Sequence, residues 1–477
     1  MNRKTSRRNF LGTSTGFAAA GLASLANPIA AAAQSVGVKP GDLPDLTIKE
    51  VKVYVTDISG IHKLNSPETG ELVSIVTNSG IEGNYTLGDR YATPGWLDWA
   101  KPALVGKNIM QLLPTLTSTT GMKGPAGYDA APAGRPGGSG AAGGAGAARG
   151  TGASGAAGAA RPPASPGSHS AFEGPQLQGT GLSTRGGGTW PNYYTAAADV
   201  CMWDILGKAV NQPIYKILSG GTPTKDRIMA YASSQHLPTV EDYVPDVLKA
   251  KALGYRGYKI HPGGGQHATG PAIPSYIGHM EEIREVRKAV GDEFALMHDP
   301  VQRYSRFEAM TVGRLLDELN YAWFEDPVRT TDQEGLIQLC AALNLPIHVG
   351  EFIYSIADFA EYIKRDALDV VRLIADNVGG ISGAMRVGLL ADAHGLECTP
   401  HNWGNVPDMA LHFHVGLALP NSYWFEMPFP EEYADRPEYK DKFRINKDGY
   451  ILAPTEPGLG YPIDRDALDK VTKRIDR

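Results

Sequence analysis

Residues 321–328 read YAWFEDPV. Tyr321 to Phe324 are apolar or aromatic, as a buried strand requires, and Pro327 cannot continue a central strand. Between them stand Glu325 and Asp326, two carboxylates at a strand tip. Seven other short apolar runs recur, each followed by a helix-like stretch: DRIMAYAS (226–233), YRGYKIHP (255–262), FALMHDP (294–300), PIHVGEF (346–352), VVRLIAD (370–376), LECTPHN (396–402) and SYWFEMP (422–428). The segments between them, such as IGHMEEIREVRKAV (277–290), have helical spacing. Strands alternating with helices imply parallel pairing. Eight such units in about 200 residues imply an α/β fold of the (β/α)8 barrel type. An open doubly wound sheet is the alternative, but no Gly-rich dinucleotide turn follows the first strand.

The polar residues gather at the C-terminal ends of these strands, which a barrel collects around one mouth. Strand two ends in Lys259 and His261, which share parity and so face the same way. Strand three ends in Asp299, strand four in Glu325 and strand five in Glu351, at equal steps of 26 residues. Equal steps place the three acids at one height on adjacent strands. Three converging carboxylates repel one another unless a cation lies between them, and an oxygen-only ligand set with room for water suits Mg2+, one ion per subunit. Strand seven ends in His401, a candidate proton-transfer group across the barrel from Lys259. Strand eight carries Glu426, which burial in the mouth is expected to keep protonated as a hydrogen-bond donor to a substrate oxygen. These parts suit removal of the proton next to a substrate carboxylate, through an enediolate.

The rest of the chain bounds the reading. Its 477 residues are 42% hydrophobic and 20% charged, with a net charge of −6. No basic block stands out, which argues against nucleic-acid binding. The three cysteines, Cys201, Cys340 and Cys398, lie far apart and form neither a disulfide framework nor a zinc motif. Residues 6–12, SRRNFLG, pair Arg7 with Arg8 ahead of a small-residue, weakly apolar run that ends in an A-x-A-like site at Ala33. Residues 1–33 are therefore expected to be a twin-arginine signal, with a periplasmic destination and no stable membrane anchor. Residues 46–56 and 71–77 alternate as half-wet strands, and helical patterns follow near 95–114 and at 193–209. Between Gly134 and Ala160, 21 of 27 residues are Gly or Ala, so a disordered insert over about 121–188 is expected. A lid whose Arg135 and Arg149 meet an anionic substrate is the competing reading of that insert.

Together these features resemble the mandelate racemase and muconate lactonizing branch of the enolase superfamily. The resemblance rests on the opening strand pair, AAADVCMWDILGKAVNQPIYKILSGG (196–221), the K-x-H at Lys259, the three acids, GGISG at 379–383 and Glu426. It implies an α+β capping domain (46–225), a barrel domain (226–454) and a final segment (455–477) whose last helix returns to the cap. It also implies Asp299, Glu325 and Glu351 as Mg2+ ligands, Lys259 and His401 as opposed acid/base groups, and Glu426 as the electrophile. The substrate is then a small carboxylate, with specificity set by cap loops such as 58–69, and a homo-oligomer is expected. Three positions depart from the pattern: His261 replaces a common lysine, Val301 a common asparagine, and Ile374 the aspartate that usually partners the strand-seven histidine. Asp376, two residues on and of the same parity, is the candidate replacement partner for His401. The departures favour dehydration of an aldonic or aldaric acid to a 2-keto acid. Racemisation, epimerisation or cycloisomerisation is the alternative, and a periplasmic binding protein on the same scaffold is the remote one.

Overall fold

The computed structural model describes residues 42–57, 69–86, 95–116, 190–221, 223, 225–440 and 442–477. The expected signal, the Gly/Ala-rich insert with Arg135 and Arg149, and the 58–68 loop with His62 and Lys63 lie outside the described residues. No helix among the described residues is long and apolar enough to cross a membrane.

A small antiparallel sheet is built from β1 (Ile48–Asp57), β2 (Thr69–Thr77) and β3 (Glu82–Thr86). Its alternation buries Val51, Val53, Val55, Val73 and Ile75 against the helices Trp96–Leu104 and Trp190–Ala209. Gly83 on β3 permits a close approach to the longer helix, because a Cβ there would lie 2.0 Å from the carbonyl oxygen of Cys201.

The second unit holds eight parallel strands: β4 (Arg227–Ser233), β5 (Gly257–Ile260), β6 (Ala295–His298), β7 (Trp323–Glu325), β8 (Ile347–Val349), β9 (Val370–Val371), β10 (Glu397–Cys398) and β11 (Trp424–Pro428). Their order is β10-β9-β8-β7-β6-β5-β4-β11, so the sheet curls into a barrel in sequence order. Among the described residues no ladder joins β10 to β11; the backbone N–H of Cys398 donates to Asn421 at 3.0 Å across that seam. β12 (Tyr450–Leu452) adds to β4 from outside.

Helices follow the strand tips and are capped by their own sequences. Ser305 and Glu308 form a capping box on the helix after β6, and Asp332 and Ser355 cap those after β7 and β8. Inside the barrel, beneath the strand tips, Tyr231, Met297 and Trp323 form a plug separate from the main core. This plug closes the barrel from below, so the polar tips above it share one chamber.

Leu468, on the last helix, packs against Tyr54 and Leu72 of the small sheet, and a strand that the sequence did not suggest follows it. After a short helix, Arg465–Val471, the last residues form a strand, β13 (Thr472–Asp476), which pairs antiparallel with β1. It is this strand that completes the small sheet, because Thr472–Asp476 places Ile475 opposite Tyr54 in an extended ladder.

Candidate active site

Asp299, Glu325 and Glu351 come together at the barrel mouth, with one carboxylate oxygen of each within 4.8 Å of the others. Equal spacing did not give equal register. The β7–β8 ladder sets Glu325 opposite His348, so Glu351 lies three residues beyond. Gly350, at φ 145°, makes the turn that brings Glu351 back. A Cβ on Gly350 would lie 2.7 Å from the Arg372 carbonyl oxygen, so that turn also depends on having no side chain.

Lys259 is fully buried, and its ammonium contacts Asp299 at 3.1 Å, Glu325 at 2.7 Å and Glu426 at 2.8 Å. Burial pulls its pKa down, but Glu325 and Glu426 outweigh burial and hold it well above the ordinary lysine value. His261 points the same way, as its parity requires: Nε2 lies 3.0 Å from Asp299, and Nδ1 lies 2.6 Å from the Ser234 carbonyl oxygen. On the far side, His401 Nε2 is 3.5 Å from Glu351. Burial holds His401 well below the usual histidine range, so its imidazole is neutral.

Two expectations need correction. Asp376 is not brought to His401. It lies in a 3-10 turn (Asp376–Val378), which breaks the period of two on which the parity reading rested. Its carboxylate instead accepts from Tyr85 of the small sheet, and it neighbours Asp408. Glu426 is not a protonated donor. Ser233 Oγ at 2.7 Å, the Asn402 N–H at 2.8 Å, Arg372 and Lys259 all point donors at its two oxygens. Burial raises its pKa, but Arg372 and Lys259 override burial and hold the group ionised.

The residues missed in the sequence are those that support these groups. Arg372, on the strand that reads VVRLIAD, donates from Nε to Glu325 at 2.7 Å and from Nη2 to Glu426. Its signal was a lone cation in an apolar strand. Trp323 Nε1 donates to the other oxygen of Glu325 at 3.0 Å, and Trp403 Nε1 donates to Ser233 Oγ at 3.0 Å. Asp326 is fully buried, and neither of its carboxylate oxygens has a hydrogen-bond partner. Burial, then Glu351, pushes its pKa well up.

The donor set fits a divalent cation. When all four are ionised, Asp299, Glu325, Glu351 and Glu426 face two cations, Lys259 and Arg372, which leaves two negative charges uncompensated. The strain falls on Glu351, which burial and Asp299 push up to about 8. All three converging ligands offer carboxylate oxygen, the chemistry of Mg2+ rather than of softer metals. A second cluster, Asp376, Asp408 and His412, is also close enough to hold an ion. There, however, His412 is engaged at both nitrogens: Nε2 accepts from the Ala375 N–H at 3.0 Å, and Nδ1 donates to the Asp408 carbonyl oxygen at 2.9 Å.

Comparison with known proteins agrees with this geometry. The sequence model of a family described as "Enolase C-terminal domain-like" matches residues 243–467. A D-galactonate dehydratase family member of Streptomyces bingchenggensis is 30% identical over 296 residues, covering 56% of this chain and 70% of that relative. The arabinonate dehydratase of Saccharolobus solfataricus is 29% identical over 272 residues, covering 56% of this chain and 69% of its own. Among solved structures, the D-glucarate dehydratase of Agrobacterium tumefaciens, complexed with magnesium, superposes with a TM-score of 0.66 at 23% identity, covering 90% of this chain and 100% of that one. By these matches, this chain belongs to the enolase superfamily, in its mandelate racemase and muconate lactonizing branch.

Proposed function

We propose that the protein is a Mg2+-dependent sugar-acid dehydratase, a lyase that converts an aldonic or aldaric acid to its 2-keto acid. The observation that carries this reading is the convergence of Asp299, Glu325 and Glu351, with Lys259 on one side and His401 on the other. The relatives named above, arabinonate dehydratase among them, support the reaction class.

Asp299, Glu325 and Glu351 would hold one Mg2+ per subunit. When bound, the ion supplies charge compensation for the carboxylates and for the substrate carboxylate as its α-carbon loses a proton. Lys259, an ammonium while the carboxylates around it are uncompensated, would serve as the base at the face from which the proton is taken once a bound cation relieves that charge. His401, whose ring meets Glu351 and no dedicated aspartate, is neutral in the free site, would take up a proton as the anionic substrate binds, and would pass it to the departing β-hydroxyl, which leaves as water. The resulting enol collapses to the 2-keto acid. Glu426 contacts the Lys259 ammonium directly, and Arg372 holds the Glu325 and Glu426 carboxylates in place around it. His261 does the same for Asp299. Trp403, over Ser233, helps to exclude water.

A library of sugar acids screened for semicarbazone-forming product tests the reading. Dehydration gives 2-keto acid; deuterium at the α-carbon of both isomers in D2O, with no keto acid, would replace it with racemisation or epimerisation. Turnover that survives in Glu325→Gln or in metal-stripped protein would remove the metal-dependent reading altogether. The reading extends to a homo-oligomer, tested by sedimentation, and to periplasmic export, which the pairing of Arg7 with Arg8 supports. Replacing both arginines with lysine should leave the protein in the cytoplasm.

A further inference from the structure

Arg372 interrupts the apolar run that ends β9, and its side chain is fully solvent-excluded. A buried guanidinium is tolerated only when its charge is paired and its N–H groups are met. Here each reaches a different part of the site. Nε donates to Glu325, 47 residues away in sequence, and Nη2 to Glu426, 54 residues away. Nη1 donates to the carbonyl oxygens of Thr399 at 3.2 Å and Pro400 at 3.0 Å, the two residues before His401. The backbone follows the same path, with the His401 N–H donating to the Leu373 carbonyl at 2.8 Å.

One rigid planar group therefore spans a metal-facing carboxylate, the strand-eight glutamate and the backbone that delivers the strand-seven histidine. A lysine would bring charge to one of these points and could not hold all three. We propose that Arg372 is a positioning residue of the active site. It sets the Glu325 side of the metal site at a fixed distance from His401 and Glu426, and does not itself touch substrate. This rests on the metal-site reading given above.

The test compares Arg372→Lys and Arg372→Met, with near-UV circular dichroism and melting temperature as fold controls. Mn2+ affinity, read by electron paramagnetic resonance, serves as a readout independent of turnover. Arg372→Met should fold and bind Mn2+ about 10- to 100-fold more weakly, because Glu325 loses its anchor. Arg372→Lys should recover most of that affinity by keeping a cation beside Glu325. Its kcat should nevertheless stay about 10- to 100-fold low with KM little changed, because His401 and Glu426 are no longer tied to Glu325. Two folded variants with wild-type Mn2+ affinity and wild-type kcat would overturn the proposal. So would two variants that fail to fold, since Arg372 would then be a core residue of the barrel. If the wild type turns over no acid in the library, the Mn2+ measurement still decides: weaker binding in Arg372→Met upholds the positioning role while the dehydratase reading fails, and unchanged binding overturns it.

Discussion

The phenol oxygen of Tyr85, on the small sheet, lies 3.0 and 2.9 Å from the two carboxylate oxygens of Asp376 on the barrel rim, and 3.2 Å from Asp408. One hydroxyl proton cannot serve two ionised carboxylates. Burial, then Asp408, raises the Asp376 carboxyl to about 7, so near neutrality the pair holds a proton that the unfolded chain would release. The sign follows: between about pH 4 and pH 7 the folded state binds more protons, so stability falls as pH rises through that window and levels off above it. Asp376→Asn should remove that part of the slope and melt a few degrees above wild type at pH 8. Parallel curves of melting temperature against pH would refute the shared proton.

A divalent cation should raise the melting temperature by mass action, by about 2.7 kcal/mol of stability at a concentration 100 times Kd. Because Glu351 is held at about 8 without a cation, Mg2+ affinity should rise with pH up to about that value and then flatten. Thermal shifts with Mg2+ from pH 6 to 9 measure this, and Glu325→Gln should show no shift.

His401→Asn separates the two proton transfers. If His401 serves the departing hydroxyl and Lys259 the α-proton, the variant should still exchange the α-proton with D2O while keto-acid formation drops at least about 100-fold. Loss of both activities together would assign proton abstraction to His401.

Glu426→Gln tests the ionised state of that residue. Breaking a buried pair leaves Arg372 and Lys259 short of an acceptor, at a cost of roughly 3 kcal/mol, seen as a lower urea midpoint at unchanged slope. A glutamine tolerated without loss of stability would mean that Glu426 is a neutral donor.

What the sequence made legible was local. The parity of Lys259 with His261 depends only on a period of two along one strand, and the acids at the strand tips on where each apolar run stops; Asp299, Glu325 and Glu351 do meet, though the 26-residue step did not put Glu351 in register. Asp376 was misread because the same parity was carried past a two-residue strand into a 3-10 turn, where alternation no longer holds. Arg372 was passed over because its meaning lies in partners 47 and 54 residues away, and a strand's own pattern does not say which acids its neighbours present. The protonation of Glu426 was misjudged for the same reason. Burial was foreseen, but the guanidinium that overrides it was not.

The pairing of Thr472–Asp476 with the first strand has a consequence for synthesis. The small sheet begins at Ile48, yet its outermost strand, Thr472–Asp476, is made only after all of the barrel strands. While the barrel emerges from the ribosome, β1 keeps one edge open, a template for unwanted pairing. That edge is covered only when Thr472–Asp476 has been made and has folded back. Completion of the small sheet thus waits on synthesis of the whole barrel, and a nascent chain stalled before residue 472 should be open to chaperone binding and proteolysis at β1 in a way that a chain with Thr472–Asp476 in place is not.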